Sequence, residues 1–90
     1  MSAMKFQLGQ VVITANAHDV LNPTDVQNGL ARHASGDGGD LNEHDRHENE
    51  IALVQDLRLF SVYHDRARVK FYITTEHDRS ATTILLPEDY

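Results

Sequence analysis

Leu57–Pro87 reads LRLFSVYHDRARVKFYITTEHDRSATTILLP, three runs of alternating character separated by two polar turns. In the first run Leu57, Leu59, Ser61 and Tyr63 share one face, and Arg58, Phe60, Val62 and His64 share the other, because successive side chains of a strand point to opposite sides. In the second, Val69, Phe71, Ile73 and Thr75 oppose Lys70, Tyr72 and Thr74. The third, Ala81–Leu86, is stopped by Pro87, which has no N–H to give to a ladder. With turns at Asp65–Ala67 and Glu76–Ser80, three strands on short links favour an antiparallel meander.

Working outward from this meander, FQLGQVVIT at Phe6–Thr14 reads as a further strand, since Val11, Val12 and Ile13 are β-branched; Gly9 suits a bulge. Asn16–Leu21 has the length of a single helical turn. Asn22-Pro23 then forms an N-cap followed by proline at the first helical position, opening a helix to about Ala34 with Val26, Leu30 and either His33 or Ala34 on one side. The glycines of Ser35-Gly36-Asp37-Gly38-Gly39-Asp40 end it. A second helix is expected over Leu41–Gln55, with Asp40 as its cap and Glu43 reaching back in a capping box. The order β-α-α-β-β-β predicts a single α+β domain over residues 1–90, two-layered, with two helices on one face of a four-stranded, mainly antiparallel sheet. Val11, Ile13, Leu30, Leu53, Leu59, Phe71, Ile73, Ile84 and Leu86 are the expected core.

A chain of 90 residues buries a thin core and leaves little interior for a deep substrate cavity. Its formal charge of −6 disfavours a general electrostatic grip on nucleic acid. The absence of cysteine excludes disulfides and thiolate metal sites. No run is long and apolar enough to cross a membrane, and MSAMKFQ lacks the apolar core of a signal peptide, so a soluble cytoplasmic protein is expected.

Several groupings test for chemistry. His44 with Glu48, and Glu43 with His47 and Glu50, share stripes of a helix and offer nitrogen and oxygen ligands to a divalent ion. They lack the HExxH order and a third ligand fixed by spacing, so a solvated helix face is the simpler reading and no metal or cofactor is expected. SGDGGD completes neither a phosphate loop nor a calcium loop, and a helix–helix connection uses its residues better. Glu76-His77-Asp78-Arg79-Ser80 packs acid, base and hydroxyl together, but neighbours on a turn diverge, whereas a catalytic triad must converge. Arg79 has two readings: an anchor pairing with Glu88 or Asp89, or a group exposed for a partner.

LGQVV at Leu8–Val12, LARHASGDGGDL at Leu30–Leu41, NEIAL at Asn49–Leu53, RLFSVY at Arg58–Tyr63 and DRSATTILLPEDY at Asp78–Tyr90 together resemble a family of small uncharacterised proteins of bacterial plasmids, integrative elements and prophages. Members of that family carry tryptophan where this chain has Gly38. The resemblance implies an accessory protein of a mobile element. The leading expectation is therefore a non-catalytic protein-binding module that inhibits a host defence or regulatory complex, contacting a protein partner through Asp37, Asp40, Glu76, Asp78 and Arg79 on two constrained loops. Self-association is left open. Two alternatives belong to other classes. One is a small metal-dependent enzyme using His44–Glu50. The other is a nucleic-acid-associated regulator using Arg58, Arg66, Arg68, Lys70 and Arg79, five of the eight basic residues.

Overall fold

The computed structural model describes residues 4–90. The chain forms strand β1 (Gln10–Ile13), helices α1 (Ala15–Val20), α2 (Pro23–Ala34) and α3 (Glu43–Gln55), strands β2 (Leu59–His64), β3 (Lys70–Thr75) and β4 (Ala81–Leu85), and a closing 3-10 turn, Pro87–Asp89. This is the expected α+β arrangement, with the helical turn near Asn16 realised as a six-residue helix. The sheet order is β1-β4-β3-β2. The meander is antiparallel, whereas β1 lies parallel to β4, making a mixed sheet in which β4 is internal.

Local chemistry accounts for the helix starts. Asn22 Oδ1 accepts from the N–H groups of Thr24 and Asp25 at 3.0 and 3.2 Å, satisfying two donors that a helix N-terminus leaves free. Thr14 does the same for Ala17 at the start of α1. For α3 the cap is Asn42, whose side chain accepts from Asp45 N at 2.8 Å, and not Asp40 as the capping-box spacing suggests. Asp40 instead turns to His64, with Nδ1···Oδ2 at 2.7 Å.

Strand parity builds the main core. Tyr63, Phe71, Ile73 and Ile84 come from one sheet face and pack with Ala17, Leu21 and Val26 of the helical layer and with Leu86. Helix α2 approaches β3 closely because residue 29 is glycine: a Cβ there would stand 3.2 Å from Phe71 Cζ and 3.3 Å from Ile73 Cδ1. Of the expected core, Leu59, Phe71, Ile73, Ile84 and Leu86 are buried and Leu30 and Leu53 are half-buried. Val11 and Ile13 are not core residues: they are 44% and 36% exposed, because among the described residues β1 is an edge strand pairing with β4 alone.

The two sheet edges are treated differently. At β2, Val62 N–H donates to Gly38 O at 3.1 Å and Val62 O accepts from Asp40 N at 2.8 Å, so the SGDGGD loop covers the edge. Asn49 of α3 extends the cover by bonding both main-chain groups of Phe60. The loop lies so close that a Cβ on Gly39, at φ +70°, would stand 2.1 Å from Val62 O. The glycines here serve edge protection, which fits the helix–helix connection read from sequence.

Candidate functional site

The turn between β2 and β3 is ordered by Asp65, a buried carboxylate accepting from Ala67 N, Val69 N and, across the fold, Asn22 N. These bonds bring the turn against the start of α2 and leave a recess of about 610 Å³ lined by Asp25, Arg32, Tyr63, His64 and Arg66 among others. Two arginine–aspartate ion pairs and a histidine–aspartate hydrogen bond adjoin it. Arg66 donates to both carboxylate oxygens of Asp25, from Nε at 3.0 Å and Nη2 at 3.1 Å. Arg32 Nε donates to Asp37 at 2.9 Å, and His64 meets Asp40. The Arg32 guanidinium also lies 4.9 Å from the centre of the Tyr63 ring, whose hydroxyl donates to Asp37 O.

The electrostatics follow from these partners. The Arg32 hydrogen bond holds the Asp37 carboxyl below the ordinary carboxylate range, and Arg66 does the same to Asp25. Burial pushes the Tyr63 hydroxyl up to about 12, so it acts as a neutral donor. The recess thus presents both signs of charge, each already opposed, around an arginine–tyrosine stack.

Asp37 and Asp40 do not line the recess but are bonded to Arg32 and His64, which do, while the other three expected contact residues lie elsewhere. Asp40 meets β2 at His64, and Glu76 meets Arg58 before its opposite end, with Nε···Oε1 at 4.0 Å. At about 3.3 Å per residue the two groups are roughly 20 Å apart along the strand. They form two sites and not a common rim. Asp78 accepts from Ser80 N at 3.0 Å within its own turn. The Arg79 guanidinium donates to four main-chain oxygens, those of Ala52, Leu57, Glu76 and His77. Ala52 lies in the last turn of α3, so Arg79 ties that helix end to the β3–β4 turn. The terminal carboxylate that anchors the chain end is Asp89, bonded to Thr14 and Asn16 and not to Arg79.

The other groupings are dispersed. His44 and His47 stand 3.8 and 3.9 Å from Glu48 and Glu50 on an exposed face, and among the described residues no three of His, Asp and Glu gather closely enough to hold a metal ion. The five cations between Arg58 and Arg79 do not form one groove: Arg66 pairs across the recess, and Arg58 and Arg79 belong to the far end of β2.

One constellation has no counterpart in the sequence reading. Thr82 Oγ1 donates to Leu8 O at 2.7 Å; Thr75 Oγ1 stands 2.7 Å from Thr82 Oγ1 and 2.8 Å from His33 Nε2; and His33 Nδ1 stands 2.5 Å from Ser61 Oγ. The carbonyl can only accept, which sets each direction as far as His33 Nε2, and the neutrality of the buried ring sets the last. Thr82 gives its proton to Leu8, Thr75 gives to Thr82, His33 donates from Nε2, and Ser61 donates to Nδ1. Burial lowers the His33 pKa to about 4, so at neutral pH the ring is the neutral Nε2–H tautomer and Nδ1 accepts from Ser61. Although serine and histidine are hydrogen-bonded, both are only 2% exposed and the adjoining void is about 10 Å³, so the chain is a structural network. The signal for it was the inward parity of Ser61, Thr75 and Thr82 opposite a histidine on the apolar side of α2.

Comparison with protein-family models, curated proteins and solved structures finds no match for this chain. Among the described residues no helix is long and apolar enough to cross a membrane.

Proposed function

We propose that this protein is a non-catalytic protein-binding module whose contact surface is the recess between α2 and β2. The observation that carries the reading is the recess itself: exposed groups of both signs on rigid elements, with an arginine stacked on a tyrosine at their centre. Arginine and tyrosine are enriched among interface hot spots, and mixed charge suits a protein surface better than a polyanion. Asp37 and Asp40 belong to this surface. The resemblance to mobile-element proteins supports the finer reading, an accessory protein that restrains a host defence or regulatory complex.

The test is a quantitative affinity capture in a bacterial host using wild-type protein and two variants, Arg32→Glu and His64→Ala. Both side chains are about half exposed, so each variant should keep its melting temperature. A partner enriched by wild type and lost from both variants supports the site. Identical recoveries from all three proteins reject it.

A further inference from the structure

Among the described residues the sheet has one covered edge and one bare one. Loop Gly38–Asp40 and Asn49 occupy the outer side of β2, but β1 ends the sheet with Val11, Val12 and Ile13 exposed by 44%, 40% and 36%. Gln10 N–H donates to Ser80 O, and Thr14 N–H to Ile84 O, each at 3.0 Å toward β4. By alternation, Val11 and Ile13 aim their N–H and C=O groups outward. Gln10–Ile13 contains no charge and no proline, the residues that commonly discourage pairing at an edge.

We propose that the occupant of this edge is a second copy of the chain, joined through β1 in antiparallel register about a twofold axis at Val12. The pattern is self-complementary. With Val12 facing its own counterpart, Val11 of one copy stands opposite Ile13 of the other, and these are the residues with outward main-chain groups. Each such pair exchanges two N–H···O bonds. The same register sets β-branched side chains against one another on both faces. Val11 and Ile13 meet on the face they share with Thr82 and Ile84, and Val12 meets Val12 on the other. Beside Ile13, a mostly apolar recess of about 200 Å³ lined by Leu21, Pro23 and Val26 extends the surface available to the second copy.

Charge favours the same occupant. Phe6–Ala17 is twelve residues without an ionisable side chain in a protein of net charge −6. Two copies can therefore meet along this segment without setting like charges opposite each other. The product is a continuous eight-stranded sheet in the order β2-β3-β4-β1-β1-β4-β3-β2. It leaves the α2–β2 recess of each copy at an outer end, so the contact is compatible with the proposed binding surface and independent of it.

Sedimentation equilibrium on the whole chain tests this directly. Wild type should be a dimer. Val12→Lys and Val12→Asp should each be folded monomers, since Val12 is partly exposed and each change sets like charges face to face across the axis. Dimer affinity should fall at least tenfold in either variant, and mixing the two should restore a dimer of mixed composition. A wild-type monomer at millimolar concentration overturns the proposal, as does a dimer that survives Val12→Lys. Failure of the mixture to reassociate overturns the register and with it the proposal. Circular dichroism of each variant separates lost pairing from lost folding.

Discussion

Lowering the pH from about 8 to about 5 should destabilise this fold by about 2 kcal/mol through His33 alone. The native imidazole has a pKa near 4 because it is buried, while an unfolded histidine titrates near 6.5. Between these values the unfolded chain holds a proton that the native chain does not, so stability rises with pH. The contribution is complete above about 6.5 and is lost progressively as pH falls toward 4. At about pH 5 the unfolded state has gained RT ln(1 + 10^1.5), or about 2 kcal/mol, and the full loss approaches about 3.4 kcal/mol below pH 4. In a domain of this size that is a fall in Tm on the order of 10 °C at pH 5. The lowered carboxyls of Asp25, Asp37, Asp78 and Asp89 add their loss of stability only as pH drops below their ordinary value of 3.8. Urea denaturation at steps between pH 8 and pH 5 measures the slope. His33→Gln, which keeps a donor and an acceptor, supplies the comparison and should flatten it. A wild-type slope that is flat, or one that persists unchanged in His33→Gln, would refute the tautomer and burial argument.

Arg79→Ala should cost about 1.5–3 kcal/mol in chemical denaturation, because charge-assisted bonds to the end of α3 are lost; an unchanged midpoint would count against its structural role. Gly39→Ala should destabilise the domain by roughly 1–3 kcal/mol and expose the Val62 amide to hydrogen exchange, since positive φ and contact with Val62 O both resist a Cβ. Leu59→Ala and Ile84→Ala should each cost about 2–5 kcal/mol, whereas Ile13→Ala, measured in dilute protein, should cost under about 1.5 kcal/mol. Equal losses at Ile84 and Ile13 would contradict β1 as an edge strand.

Local chemistry was legible where near neighbours set it. Alternation in Leu57–Pro87 determined the meander, and Asn22-Pro23 determined the start of α2, because strand parity and capping depend on residues within a few positions. The glycine loop was legible as a helix ending, and its conformation could be anticipated without knowing its neighbour. What sequence proximity could not supply was the partner of each polar group. Asp40 has the spacing of a cap, yet His64 lies within reach and Asn42 takes the helix end. Arg79 has the composition of an exposed contact, yet the carbonyls of α3 and its own turn surround it. The three residues Val11–Ile13 carry a buried strand's composition, but strand order decides burial, and only the folded sheet puts β1 outermost beside β4. The His33 network is likewise a tertiary product. Its members lie 28, 42 and 7 residues apart along the chain, and packing of α2 over β2, β3 and β4 is what brings the Ser61 and Thr75 hydroxyls to the two nitrogens of one imidazole, with Thr82 behind Thr75.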